Sequence, residues 1–150
     1  MAISKFVEFD KSHIDLIGDL KDSDEYAFRC YENWKDAVFL ISTSGYTDSL
    51  FINDLLMSIQ NLTMYWNGVA EIWMVTSKKV NNFPILFFKE ANRWIEDMII
   101  RYNLHRLQCK AVVGFDVLHK FLRKLGFDQE AYLSNYGPLK EDYIQYVRLI

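Results

Sequence analysis

The chain has 150 residues, of which 51% are hydrophobic and 25% are charged, and its formal net charge at pH 7 is -3. This length and composition predict one globular domain spanning residues 1–150 with a substantial apolar core. The negative net charge disfavours a dedicated nucleic-acid binder.

Three features of the sequence indicate the cellular compartment of the protein. The N-terminal segment MAISKFVEFDKSH has no cationic region followed by an apolar core, so no secretion signal is predicted. No apolar run reaches the roughly 18 residues that a membrane span requires. Cys30 and Cys109 are far apart in apolar surroundings, which favours buried free thiols in a reducing compartment. We therefore expect a cytoplasmic protein.

The first quarter of the chain predicts a strand followed by a helix and a loop. Residues Lys5–Asp10 alternate between apolar and polar side chains, as a half-buried strand does. Ser12 is expected to cap a short helix. The apolar side of that helix is formed by Ile14, Leu16, Ile17 and Leu20. The polar segment KDSDEY that follows is expected to be a loop.

A second helix is predicted over WKDAVFLISTS. Asn33 is expected to cap it and Gly45 to end it. Because the apolar run in DAVFLIST has no clear period, this segment could equally be a strand. Both alternatives stay open on the sequence alone.

Two hairpin turns are predicted in the middle of the chain. Asn53-Asp54 separates SLFI from LLMSIQNLTM, and Asn67-Gly68 leads into VAEIWMVTS. A long helix is then predicted from Pro84 to Tyr102, with proline at its first position. One face of this helix carries Phe87, Ala91, Trp94, Ile95, Met98 and Tyr102.

The last third of the chain predicts three more strands and one more helix. Residues Arg106–Val113 alternate as a strand, and DVLHKFLRKLG is a short amphipathic helix ended by Gly126. FDQEAYL and DYIQYVRLI are the final strands. The order β-α-α-β-β-β-α-β-α-β-β predicts a mixed sheet with helices on both faces.

This order, together with two motifs, resembles the Gcn5-related N-acetyltransferase (GNAT) family. AEIWMVTS is similar to the family's fourth strand, and FLRKLGF is similar to the end of its helix-strand motif. The likeness covers nearly the whole chain and is tightest from Ala70 to Phe127. It is closest to a small phage-encoded branch that includes the internal virion protein of T7-like phages. The resemblance implies a mixed, mostly antiparallel sheet of six to seven strands with helices on both faces.

The resemblance also implies an acetyl-coenzyme A site. In this family the fourth and fifth strands diverge, and the pantetheine arm pairs with the exposed backbone of the fourth strand, here near Met74 and Val75. The pyrophosphate lies on amides of the following loop, where a helix N-terminus favours anions. The corresponding residues here are Lys78, Lys79, Val80, Asn81, Asn82 and Phe83. The alternative is a solvated polar loop that caps the helix through Asn82.

Glu71 is the candidate catalytic residue. In several family members a glutamate in an AEI context accepts the proton of the substrate amine, directly or through water. Glu71 stands in that context, and a partly buried carboxylate in a cleft suits a general base. The alternative is an exposed strand residue that faces water.

The loop departs from the family's phosphate-binding pattern, R/Q-x-x-G-x-G/A. It contains no glycine, Val80 and Phe83 are bulky, and Pro84 has no amide hydrogen to donate. Lys78 and Lys79 are the cations that could offset the charge of the phosphates.

The general acid of the family is also missing. Leu122 stands where a tyrosine commonly protonates the departing thiolate, and Phe115 stands where an asparagine is often found. A leucine side chain cannot donate a proton. Tyr132, Tyr136 or a water molecule are alternatives that the sequence does not separate.

The sequence contains no pattern typical of a metal site or of a serine hydrolase. His13, His105 and His119 are scattered without the spacing of metal ligands, so no metal site is predicted and these residues are expected at surfaces or interfaces. No serine lies in a G-x-S-x-G context, which disfavours a hydrolase of that type.

Two functions therefore stay open. The first is an acetyl-coenzyme A-dependent N-acetyltransferase, diverged and slow, that acts on an amine or protein acceptor which the sequence does not name. The second is a non-catalytic bacteriophage morphogenesis or virion-associated protein that keeps the fold for contacts with phage structural proteins. The aromatic content of 16% suits such an interface. The first function predicts an open cleft between two strands, and the second predicts a cleft filled by side chains.

Overall fold

The protein forms a single seven-stranded sheet in the order β1-β2-β3-β4-β5-β7-β6. The computed structural model describes all 150 residues. Neighbouring strands are antiparallel except β4 and β5, which run parallel. The strands are β1 (Ser4–Glu8), β2 (Tyr46–Ile52), β3 (Leu55–Trp66), β4 (Val69–Thr76), β5 (Arg106–Val112), β6 (Asp128–Leu133) and β7 (Tyr143–Leu149).

Four α-helices and two 3₁₀ helices connect the strands. They are a 3₁₀ helix (Lys11–Leu16), α1 (Asp22–Phe28), α2 (Trp34–Ser42), a second 3₁₀ helix (Lys78–Asn82), α3 (Pro84–Arg101) and α4 (Asp116–Lys124). The predicted order of the seven strands is confirmed, and so is a mixed, mostly antiparallel sheet. None of these helices combines the length and the apolar composition that a bilayer crossing requires.

The two predicted hairpins are confirmed by their backbone angles. Asn53 and Asp54 both have positive φ, 50° and 62°, which suits the tight turn between β2 and β3. Gly68 has a φ of 82° in the turn between β3 and β4. These turns fix β2, β3 and β4 as a continuous antiparallel meander.

The predictions for residues 11–28 are wrong in two respects. The first helix is a 3₁₀ helix capped by Asp10, whose carboxylate accepts a hydrogen bond from the Ser12 amide at 2.9 Å. KDSDEY is not a loop, because Asp22 begins helix α1. The acidic residues of its first turn lie at the positive end of the helix dipole, where a negative charge stabilises the helix.

Helix α2 settles the ambiguity between helix and strand in DAVFLIST. Its predicted cap is confirmed, because the Asn33 side chain accepts a hydrogen bond from the Lys35 amide at 3.2 Å. The helix ends at Ser42, so the prediction that Gly45 ends it is wrong. A Cβ atom at Gly45 would lie 2.2 Å from the carbonyl oxygen of Leu62, so glycine allows β3 to approach the chain closely there.

The sheet separates two groups of helices. On one face, Val75 of β4 packs in a cluster with residues of the first 3₁₀ helix, α1 and α2. On the other face, Ala70 of β4 packs with α3, α4 and Leu107 of β5. Strand β4 therefore contributes alternate side chains to both cores, as the period of two requires.

His119 is not a surface residue, so that prediction is wrong. Its ring is buried on α4, with Nδ1 2.7 Å from the Tyr146 hydroxyl and Nε2 2.9 Å from the Val112 carbonyl oxygen. The carbonyl can only accept, so Nε2 carries a proton and donates it to Val112. The sequence could not reveal this pairing because the two partners lie on other elements.

Helix α3 packs on the sheet through the predicted apolar face. The buried residues of that face are Phe87, Ala91, Trp94, Ile95 and Met98. Trp94 is 3% exposed, and its indole nitrogen donates a hydrogen bond to Asp48 Oδ2 at 2.9 Å. This bond satisfies the buried indole N–H of Trp94 and links α3 to β2.

We expect Trp94→Ala to lower the free energy of unfolding by about 3–5 kcal/mol, because it leaves a large cavity under α3. It also leaves the Asp48 carboxylate without its donor. Urea denaturation measures the change. Trp66→Ala is the control: this side chain is 68% exposed, and its loss should change stability by less than about 0.5 kcal/mol. A Trp94 variant as stable as the Trp66 variant would refute this account of the core.

Candidate active site

Strands β4 and β5 pair at only three positions and then diverge. The pairs are Val69↔Arg106, Ala70↔Leu107 and Glu71↔Gln108. Beyond them a cleft of about 1170 Å³ opens between the strands. Its walls come from β4, β5, α1, α3, α4 and the segment 136–138 between β6 and β7. The predicted divergence of two strands is thus present at the expected place.

The backbone of Met74 faces the open side of β4. The Ser77 amide donates to the Met57 carbonyl of β3 at 2.9 Å, so alternate residues of β4 direct their peptide groups toward β3. Val75 belongs to that set and pairs with Ile59. Met74 belongs to the other set, and its N–H and C=O point into the cleft, where β5 no longer reaches them. Of the two predicted residues, Met74 reaches the cleft and Val75 does not.

The end of β4 is already occupied by the segment before α1. The Lys21 amide donates to the Thr76 carbonyl at 2.9 Å, and the Lys78 amide donates to the Asp19 carbonyl at 2.8 Å. The Thr76 amide donates to Asp24 Oδ2 at 2.7 Å. Burial raises the pKa of Asp24 to about 7, although this bond acts in the opposite direction. The free edge of β4 is therefore confined to the stretch around Met74.

The loop after β4 folds as a 3₁₀ helix rather than as an anion-binding turn. The Val80 amide donates to the Ser77 carbonyl at 3.2 Å, the Phe83 amide donates to the Val80 carbonyl at 2.9 Å, and the Lys79 amide donates to Ser77 Oγ at 3.2 Å. Asn81 has a negative φ, as does every other residue of the loop. Most amides that a phosphate would need are therefore already used.

Helix α3 begins without a side-chain cap. Its N-cap is Phe83 and not Asn82, so the capping alternative is wrong. Pro84 has no amide hydrogen, and the Phe87 amide donates to the Phe83 carbonyl at 2.8 Å. The amides of the two residues between them, 85 and 86, are left as donors at the positive end of the helix.

The two lysines of the loop point in different directions. Lys78 lines the cleft, and its ammonium lies 3.6 Å from Asp22 Oδ1. Lys79 turns away and donates to the Leu16 carbonyl at 2.9 Å, and burial lowers its pKa. Val80 and Asn81 also line the cleft, whereas Asn82 and Phe83 do not.

Glu71 lies at the neck of the cleft, where pairing between β4 and β5 ends. Its Oε2 accepts a hydrogen bond from the Tyr65 hydroxyl at 2.7 Å, and its Oε1 contacts the ammonium of Lys110 on β5. The hydrogen bond to Glu71 raises the pKa of Tyr65. Glu71 is thus held by partners from β3 and β5 and is not a strand residue that faces only water.

Lys110 is a residue of the site that the sequence analysis did not identify. Burial disfavours its charged form, but the hydrogen bond and the charge of Glu71 outweigh burial, and the pKa of Lys110 is raised. The Tyr136 ring lies 5.9 Å from its Nζ. Alternation along β5 puts Lys110 on one face of the strand, but only the register with β4 reveals that it meets Glu71.

The positions of the missing general acid are filled by apolar side chains. Leu122 is 7% exposed and packs in the core beside the cleft, and Phe115 contacts the Tyr26 ring at a centroid distance of 5.3 Å. Among the proposed substitutes, Tyr136 lines the cleft. Tyr132 does not, because its hydroxyl donates to Asp142 at 2.6 Å on the exposed side of β6.

Comparison with solved structures shows that this architecture is the GNAT fold. An acetyltransferase of the GNAT family from Bacillus anthracis superposes with a TM-score of 0.74 at 15% identity, covering 97% of this chain and 94% of that one. Ard1 from Thermoplasma volcanium gives a TM-score of 0.77 at 11% identity, with coverages of 98% and 97%. A chimera of the spermidine N-acetyltransferase SpeG from Vibrio cholerae with hSSAT gives 0.76 at 14%, with 97% and 95%.

Comparison at the level of sequence gives no match to a known family. No protein-family model and no curated protein sequence matches the chain. At 11–15% identity the structural likeness establishes the fold and leaves the activity open.

The cleft fits the pantetheine arm of acetyl-coenzyme A better than it fits the diphosphate. The free C=O of Met74 can accept a hydrogen bond from an amide of the pantetheine arm, and its free N–H can donate to the thioester carbonyl, with open space beside both groups. The diphosphate would find two free helix amides and Lys78, but no glycine turn. The residues present therefore fit the thioester arm, and they offer the phosphates fewer donors than a glycine-rich loop does.

We expect Lys78→Ala to weaken acetyl-coenzyme A binding and to reduce its dependence on salt, because Lys78 is the loop cation that faces the cleft. An exposed ion pair such as one between Lys78 and a phosphate contributes about 0.2–1 kcal/mol to the binding free energy. Lys79→Ala is the matched control and should leave affinity unchanged, since its ammonium is bonded to Leu16. Calorimetric titration at two salt concentrations measures both. An affinity unchanged by either substitution would show that the phosphates do not lie at this loop.

Proposed function

We propose that the protein transfers an acetyl group from acetyl-coenzyme A to a primary amine in the cleft between β4 and β5. The observation that supports this proposal is that a backbone donor and a carboxylate both lie on β4 where this strand separates from β5. There an unpaired backbone amide at Met74 and a carboxylate at Glu71 flank the same opening. An acyl transfer to an amine needs both a donor for the carbonyl oxygen and an acceptor for the amine proton.

The chain's own groups divide the work as follows. Glu71 accepts a proton from the incoming amine, and Tyr65 holds the carboxylate in place from β3. The Met74 N–H donates to the carbonyl oxygen on which negative charge develops. Acetyl-coenzyme A, when bound, supplies the activated acyl group. The apolar wall formed by α3 and α4 excludes water from the inner end of the cleft.

The proposed reaction is slow. Leu122 cannot protonate a departing thiolate, and of the two tyrosines considered as substitutes only Tyr136, with a half-exposed side chain, lines the cleft. General acid assistance is typically worth about 10²–10⁴ in rate. Turnover without a tyrosine at this position relies on water or on Tyr136 for the proton.

A cationic amine is the acceptor class that the neck suits. Glu71 offers a carboxylate, and the rings of Tyr31, Tyr136 and Tyr143 line the same cleft. Carboxylates and aromatic faces both attract ammonium groups. One structural neighbour is a spermidine N-acetyltransferase, which supports an amine acceptor but does not choose between a small amine and a protein.

The alternative function, a bacteriophage virion or morphogenesis protein without catalysis, stays a prediction. It expects side chains to fill the space between β4 and β5. The cleft of about 1170 Å³ favours the enzymatic proposal instead. No feature of the fold or of the structural likenesses points to a phage protein.

Glu71→Gln tests the proposal, because glutamine keeps the shape of the side chain but accepts no proton at neutral pH. We expect the rate of acetylation of a diamine such as spermidine to fall by roughly 10²-fold, with binding of acetyl-coenzyme A preserved. Glu8→Gln, at an exposed position on β1, should have no effect. Product formation followed by mass spectrometry is the measurement. A wild-type protein that neither binds acetyl-coenzyme A nor acetylates any amine above background would contradict the proposal.

A further inference from the structure

Lys110 occupies the place in which the proposed reaction needs a substrate amine. Glu71 is the last β4 residue paired with β5, and its partner is Gln108. Lys110 is two residues further along β5, so its side chain lies on the same face as that of Gln108 and reaches across the opening. Its ammonium contacts Glu71 Oε1. A substrate ammonium would make this same contact before it lost its proton.

The environment of Lys110 differs from that of the other paired lysines. Its side chain is 20% exposed, whereas the side chains of Lys5, Lys35 and Lys78 are 44–58% exposed in their ion pairs. The cleft borders Lys110, and no second carboxylate holds it. An amine that is shielded from water and bonded to the proposed base is already held beside the group that must take its proton.

We infer that Lys110 is a self-acetylation site, at which the protein modifies its own ε-amine with the acyl thioester bound in the cleft. This inference rests on the proposed function, and it identifies an acceptor of that reaction. The reactive partners are the Lys110 nitrogen, the Glu71 carboxylate and the carbonyl carbon of the thioester.

The step balances without any further reagent. Glu71 takes one proton from the Lys110 ammonium, and the freed nitrogen lone pair forms a bond to the carbonyl carbon as the carbon–sulfur bond breaks. The nitrogen loses a second proton to water and keeps one as the amide N–H. The departing thiolate takes up one proton. The products are Nε-acetyl-lysine, the free thiol and one released proton.

The modification changes the neck of the cleft. It removes the positive charge of Lys110 and ends the ion pair, which leaves Glu71 with the Tyr65 hydroxyl as its remaining partner. The raised pKa of Lys110 keeps its amine protonated before the reaction, so the proton transfer to Glu71 is a required step. Self-acetylation therefore depends on Glu71 in the same way as the acetylation of an added amine does.

Site-resolved mass spectrometry after incubation with acetyl-coenzyme A tests this inference. In the wild-type protein the acetylated fraction at Lys110 should rise at least about tenfold faster than at Lys120, an exposed lysine of α4 that reports non-enzymatic modification. Glu71→Gln should lower the rate at Lys110 about tenfold or more and leave Lys120 unchanged. Lys110→Arg, which preserves a positive charge beside Glu71, should remove this modification site, and Lys120→Arg should leave Lys110 acetylation intact. Thermal unfolding of each variant confirms that it is folded.

The outcomes separate this inference from the function on which it rests. Binding of acetyl-coenzyme A and acetylation of added spermidine, with Lys110 modified no faster than Lys120, would overturn self-acetylation and leave the proposed function standing. Equal Lys110 rates in wild type and Glu71→Gln would overturn it as well, because the reaction would then need no base. Absence of both binding and transfer to spermidine would overturn the proposed function and self-acetylation together.

Discussion

The early end of pairing between β4 and β5 is the constraint on which the rest of the structure depends. Three residue pairs join the two strands, and beyond them β4 is held by β3 while β5 is held by β7. A strand that loses its neighbour must leave peptide groups for another partner, since buried N–H and C=O groups are rarely unpaired. At Thr76 that partner is the segment around Lys21 and Asp24, and at Met74 the groups face the open cleft.

The two ends of the cleft are equipped differently. At the neck, side chains from β3, β4 and β5 form a connected polar group centred on Glu71. At the other end, the second 3₁₀ helix (Lys78–Asn82) uses most of its amides in its own hydrogen bonds, and the N-terminus of α3 offers few donors. The arrangement favours recognition of the thioester arm over recognition of the phosphates.

Local patterns in the sequence predicted most of the fold, because turns and amphipathic periods are encoded by neighbouring residues. Asn53-Asp54, Asn33 and Pro84 each act within a few residues, and each appears in the structure as predicted. The failure at KDSDEY has a different cause: its polar residues are those of an exposed helix, and composition alone does not separate such a helix from a loop. The contact of Lys110 with Glu71 depends on the register of two strands 39 residues apart, which alternation does not determine.

Amide hydrogen exchange at Met74 tests the central claim most directly, because this amide belongs to the edge of β4 that faces the open cleft. We predict that saturating acetyl-coenzyme A slows exchange of the Met74 amide and leaves the Val75 amide, already paired with β3, unchanged. Measurement by NMR in the presence and absence of the thioester resolves the two neighbours. Unchanged exchange at Met74 in the presence of bound acetyl-coenzyme A, or no binding at all, would contradict the claim that this edge of β4 receives the ligand.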